Sequence, residues 1–177
     1  MNENMMRSQF NSNAYNFLSQ ARNIYQTYIR IKQDINFIDN KIAHLSSMYI
    51  INPIQQHLIE QKQLSDNKFQ KQMNLQQYAV EIANNLGLST QNALQALQIS
   101  VNSKDSMNVM FDNNTINTIC SFIELIGKQT DIANLYRQYC NIGIISFLLS
   151  DIEMGKGGIQ SYNLSGFYRL KNILNRP

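Results

Sequence analysis

Two interleaved heptad series run through the first quarter of the chain. Counting in sevens from Ala14 gives Ala14, Ala21, Tyr28, Ile35 and Ile42; counting from Phe17 gives Phe17, Ile24, Ile31, Ile38 and Leu45. The Tyr28 hydroxyl is the one polar group in either series. An apolar repeat of 3.5 residues lays a stripe along an α-helix and favours a left-handed supercoil against a partner helix. Neither Gly nor Pro interrupts the stretch, and Ser12 and Asn13 are suited to accept an orphan backbone N–H at its start. The spacing therefore predicts one helix from residue 12 or 13 to about residue 47, roughly 50 Å long at 1.5 Å per residue.

That helix is expected to stop in "SSMYIINP", residues 46–53, because Pro53 disfavours helix at Asn52 and lacks an amide donor. Pro suits a first turn, so a second helix is expected from Pro53 or Ile54 to Asn84 or Asn85, with Gly87 ending it. Its apolar residues are Leu58, Phe69, Met73, Val80 and Ala83, with polar residues at several expected seam positions. The two segments read as a long antiparallel helical hairpin, coiled-coil-like, over residues 12–86. The second arm carries too few apolar positions to cover the first. Part of the seam is therefore expected to meet C-terminal helices, a second copy or another protein.

Residues 88–175 read as a small, compact helical bundle ending in a basic segment, which makes the chain all-α. Ser89 or Thr90 is expected to cap a short helix carrying Ala93, Leu94, Leu97 and Val101. Residues 102–114 read as a connection whose Met107, Val109, Met110 and Phe111 tuck against the core. Asn114 or Thr115 caps a helix to Ile126, and Thr130 and Asp131 cap the next, which runs to Ile152. The latter is apolar nearly all round in its second half, the pattern of a central buried helix. "GKGG", residues 155–158, reads as a flexible loop, and Ser165 as the cap of a last helix, "GFYRLKNIL".

Composition supports helices. Two prolines and seven glycines in 177 residues leave little turn chemistry for a β-rich fold. Charged residues are only 15%, and Asn and Gln supply the remaining polarity as a decoration between helically spaced apolar residues. Both ends are basic: residues 1–33 hold Arg7, Arg22, Arg30 and Lys32 against Glu3, and residues 154–177 hold Lys156, Arg169, Lys171 and Arg176 with no acid. The net charge of +3 is too modest to imply nucleic acid. The two cysteines, Cys120 and Cys140, form no CxxC pair and lie in apolar helical stretches, so buried free thiols in an intracellular reducing compartment are expected. The cytoplasm is the favoured setting, with an organelle matrix as the alternative, since residues 4–33 are acid-free in the manner of a presequence. The most apolar run, Ile142–Ile152, falls short of the roughly 20 residues a transmembrane helix needs.

Little catalytic chemistry is encoded. His44 and His57 flank the Pro53 turn, but no cysteine or carboxylate cluster accompanies them as metal ligands would. Asp151 and Glu153 are two residues apart and point to different helix faces, as do Glu60 and Asp66, so no acid–base pair is specified. "GKGG" does not fit a phosphate-binding loop, and no G-x-S-x-G or G-x-G-x-x-G occurs. The expectation is a non-enzymatic chain with no cofactor and no metal.

One further constellation stands out. Lys156, Arg169, Lys171 and Arg176 alternate with Tyr162, Phe167 and Tyr168, a mixture suited to phosphates and stacked bases. The same residues fit an amphipathic helix whose Phe167, Leu170, Ile173 and Leu174 pack on the core. The functional expectation is a structural subunit of a homo-oligomer or larger complex. It binds partner helices through Phe17, Ile24, Tyr28, Ile31, Ile35, Ile38, Ile42 and Leu45. The alternative is a nucleic-acid-binding or coat-type subunit that uses the basic termini.

Overall fold

The computed structural model describes residues 3–102, 113–140, 142–154 and 164–175. They form six helices, and no strand occurs among them: α1 (Glu3–Ile51), α2 (Gln55–Asn102), α3 (Asn113–Ile126), α4 (Thr130–Tyr139), α5 (Ile142–Glu153) and α6 (Ser165–Asn175). The chain divides into two compact units. One comprises residues 23–81, and the other joins residues 1–22 to residues 82–177. Met107, Val109, Met110, Phe111 and the "GKGG" loop lie outside the described residues.

The 23–81 unit is an antiparallel helical hairpin. Its register is marked by polar pairs: the Lys71 ammonium lies 3.4 Å from Asp34, Lys68 lies 2.6 Å from Asp39, and Gln61 donates to the Ser46 hydroxyl at 2.6 Å. Numbers rise on one arm as they fall on the other. On the α1 arm Tyr28, Ile35 and Ile38 are buried, and Ile24, Ile31, Ile42 and Leu45 are half-buried. On the α2 arm the covered positions are His57, Gln61, Leu64, Lys68, Lys71, Leu75 and Tyr78, which alternate by four and three. α1 closes with the Asn52 amide donating to the Met48 carbonyl, and Pro53 and Ile54 make the turn.

In the other unit the first turns of α1 lie against the last turns of α2. The Ser89 hydroxyl donates to the Ala14 carbonyl at 2.6 Å, and Arg7 donates to the Ser100 hydroxyl at 3.3 Å. Ala14, Leu18 and Ala21 on α1, and Ala83, Leu86, Ala93, Ala96 and Leu97 on α2, are buried. Small side chains let two helix backbones approach closely, and a hydroxyl can then reach the neighbouring backbone. α3 packs along α6, where a Cβ at Gly166 would stand 2.7 Å from the Ile116 Cγ2. α5 packs on α6, and α4 contacts α3.

Four boundaries differ from the sequence expectation. α1 starts at Glu3 because its first turns are held by side chains: Gln9 donates to Asn13 at 3.0 Å, and Arg7 reaches Asn4 and Ser100. α2 runs through Gly87, so a boundary at residue 87 falls inside a continuous helix. Gly87 is a close-approach site, with an added Cβ only 3.0 Å from the Tyr139 Cβ. The residues expected to cap a new helix there are satisfied within α2: Thr90 donates to the Leu86 carbonyl and Asn92 to the Leu88 carbonyl. The helix expected from Thr130 to Ile152 is two helices, because Cys140 is extended (φ −109°, ψ 113°). Consequently α5 buries one face (Ile145, Leu148, Leu149, Ile152) and leaves Ile144 and Phe147 exposed, so it is no central helix. Gln129, not Thr130 or Asp131, occupies the cap position of α4.

Candidate interaction surface

The α1 seam was expected to meet partner helices, and most of it is already covered. Tyr28 is fully buried, Ile35 and Ile38 nearly so, and Phe17, Ile24, Ile31, Ile42 and Leu45 are half-buried. Tyr28 stacks on Tyr25 with ring centroids 6.0 Å apart, and the Lys32 ammonium lies 5.3 Å above its ring. The second arm covers more of the first than its apolar count suggested. Gln61, Lys68 and Lys71 are half-buried, and their polar ends reach Ser46, Asp39 and Asp34.

Of the apolar residues that the sequence offered for α2, Ala83 is buried and the other four are exposed. Phe69 is 64% exposed, and Met73, Val80 and Leu58 are exposed as well. At about 100° per residue these four fall within about 60° of arc, on a side of α2 turned away from the covered positions. Sequence reasoning chose the wrong stripe because this one is more apolar than the one that packs.

A second exposed group surrounds the Pro53 turn. Ile50 and Ile51 are 82% and 84% exposed, and Met48, Ile54, Leu58 and Ile59 are exposed beside them. Between Lys41 and Glu60 the sequence holds no Asp, Glu, Lys or Arg. That charge gap was the sequence signal for this tip. His44 lines a groove of about 410 Å³ with Lys41, Glu60 and Leu64. His57 sits at a covered position, its Nδ1 shielded and without a hydrogen-bond partner.

The basic C-terminal constellation is dispersed. Lys156, Tyr162 and Arg176 lie outside the described residues. Phe167 is 2% exposed and is a core residue of α6, so its ring has no face to offer a base. Arg169 is committed to α3, donating to the Asn117 carbonyl at 3.2 Å, to the Ser121 hydroxyl at 3.2 Å and to Glu124 at 3.4 Å. Tyr168 donates to Glu153 at 2.8 Å, and burial together with that carboxylate pushes its hydroxyl up to about 12. Lys171 is half-buried.

Cys120 is buried and Cys140, at the end of α4, is half-buried; both are free thiols. Burial pushes the Cys120 thiol up to about 11, and burial also raises Cys140. A cavity of about 560 Å³ is lined by Glu124, Thr130, Arg137 and Leu174. Its charges are engaged, since Arg137 donates to the Leu174 carbonyl at 3.1 Å and Glu124 faces Arg169. Among the described residues no group of three His, Cys, Asp or Glu side chains is placed to hold a metal ion, and no helix is long and apolar enough to cross a membrane. No family model matches the chain, nor does any curated protein or any solved structure.

Proposed function

We propose that this chain is a non-enzymatic helical assembly protein. Its 23–81 hairpin serves as a two-helix scaffold onto which a helix of a second copy docks along α2, completing a coiled-coil-like trio. The observation that carries this reading is the outward stripe of Leu58, Phe69, Met73 and Val80, four large apolar side chains left exposed on one side of a helix. Tyr28, Ile35 and Ile38 are buried within the chain, which supports a partner that meets α2 instead. Gln72 lies at one edge of the stripe and Gln70 and Gln77 at the other, while Lys62 and Gln76 fall within its arc.

The test is mass in solution by sedimentation at micromolar concentration. The unmodified chain is expected to be at least a dimer. Phe69→Gln with Met73→Gln is expected to shift it toward monomer with helical circular dichroism unchanged, since both side chains are exposed. A monomeric starting protein, or an assembly indifferent to this pair of changes, overturns the proposal.

A further inference from the structure

We propose that the second copy meets α2 with its own α2, running antiparallel across a two-fold axis at Phe69. This inference rests on the assembly reading above and names the partner helix, its direction and its register. The observation that carries it is that the exposed stripe reads alike from both ends. Leu58 stands eleven residues before Phe69, and Val80 eleven after it. Lys62 and Gln76, which fall within the same arc, stand seven before and seven after. Eleven residues make three helical turns to within about 20°, and seven make two turns to within about 20°. Each pair therefore sits at equal height above and below Phe69 on one side of the helix.

A contact built on a two-fold axis uses the same patch on both copies, so residue i meets j and j meets i. Centred on Phe69, an antiparallel pair sets Leu58 against Val80 of the second copy at one end and repeats that contact at the other. The two Phe69 rings meet in the middle. Met73 comes level with Ser65, a small side chain that leaves room beside the thioether. A foreign helix would impose no such symmetry on the stripe.

Charge selects the direction. Parallel and in register, the copies would bring Lys62 level with Lys62 inside a largely apolar contact, where two ammonium groups repel. Antiparallel, each Lys62 lies level with a neutral Gln76, whose amide oxygen is an acceptor.

The area is sufficient for a specific dimer. Leu58, Phe69, Met73 and Val80 are 39%, 64%, 51% and 44% exposed. Together they offer on the order of 400 Å² per copy. Lys62, Ser65, Asp66, Gln72 and Gln76, all exposed in or beside the arc, bring the surface available over both copies to about 1,200 Å², where specific interfaces begin.

Leu58→Cys and Val80→Cys are prepared as separate full-length chains, mixed at micromolar concentration and mildly oxidised. Peptide mapping by mass spectrometry is expected to find disulfides joining position 58 of one chain to position 80 of the other, at least tenfold above 58–58 and 80–80 bonds. Like positions lie roughly 33 Å apart in the antiparallel pair, beyond the reach of a disulfide. Mapping also separates these bonds from any made by Cys120 or Cys140. In sedimentation, Leu58→Glu is expected to weaken the dimer about tenfold, and adding Val80→Lys in the same chain to recover most of the loss, because opposite charges then meet at both ends. A dimer without the 58–80 bond, or a Val80→Lys change that deepens the loss, overturns the antiparallel contact and leaves self-assembly standing. A chain that is monomeric from the start, or a dimer indifferent to Phe69→Gln with Met73→Gln, overturns the assembly reading and this inference with it.

Discussion

The Ser89 hydroxyl donates to the main-chain carbonyl of Ala14 at 2.6 Å, across 75 residues of sequence. A side chain that short reaches a neighbouring helix backbone only where the helices are nearly touching. Ala14, fully buried, presents only a methyl group at that level. The Ala14 carbonyl sits within α1 and has a helical amide available, so Ser89 adds a second hydrogen bond to it rather than rescuing an orphan. Ser89→Ala is therefore expected to cost about 1 kcal/mol, the net worth of one neutral hydrogen bond. Ser89→Leu is expected to cost more, about 2–3 kcal/mol, because the added volume has nowhere to go. Urea denaturation of both variants checks the order.

Tyr136 is fully buried, and its hydroxyl lies 2.9 Å from Thr90 Oγ1, which itself donates to the Leu86 carbonyl. With the Thr90 proton directed to Leu86, the phenol donates to Thr90. Thr90→Val removes one of the phenol's two side-chain partners and leaves the Cys140 thiol beside it, at an expected cost of about 1 kcal/mol. Tyr136→Phe removes the donor and is expected to cost about 1 kcal/mol. The double variant should cost less than the sum of the two, and a double-mutant cycle of unfolding free energies measures the difference.

Gly166 faces Ile116 so closely that a Cβ would stand 2.7 Å from its Cγ2 and 3.0 Å from its Cβ. Alanine ordinarily favours a helix over glycine by about 1 kcal/mol. Here the clash should outweigh that preference, and Gly166→Ala is expected to lower stability by about 1–2 kcal/mol. Pairing it with Ile116→Ala makes room and should return part of the loss, which thermal melts of the single and double variants resolve.

The Cys120 thiol and the Tyr136 phenol both sit above their ordinary ranges because burial disfavours their charged forms. In the unfolded chain they release protons from pH 9 and pH 10 upward, while the folded chain retains them. The unfolded state then binds fewer protons, so stability falls as pH rises. For Cys120 the window runs from 9.0 to about 11, and the loss across it is expected to reach about 2 kcal/mol. Cys120→Ala should make the pH 9–11 part of the urea-midpoint profile shallower, leaving the share from Cys140 and the decline above pH 10 that Tyr136 causes.

The α1 helix was legible because every position of its seam is apolar, so pattern and burial coincide. The α2 arm was not. Among its covered positions stand His57, Gln61, Lys68 and Lys71, whereas Phe69 and Met73 point outward, so hydropathy alone selects the wrong side. Its polar covered positions pair with Ser46, Asp39 and Asp34, residues that are distant in sequence. Gly87 misled for a related reason: its missing side chain accommodates Tyr139 rather than ending a helix. The surface features were legible only in part. The gap in charge between Lys41 and Glu60 was visible, but its meaning depended on finding Ile50 and Ile51 outside the packed interior.

Lysines on the inner side of the hairpin have a consequence for how the molecule loosens. Lys68 and Lys71 reach Asp39 and Asp34 through partly hydrated pairs, which bind weakly and weaken further in salt. The zone around Ala14, Leu86 and Leu97 is held by fully buried aliphatic side chains together with the buried Ser89 hydrogen bond. Amide protons of residues 61–71 should therefore exchange with deuterated water well before those of residues 82–97. The hairpin is the part that breathes, and it does so faster as ionic strength climbs.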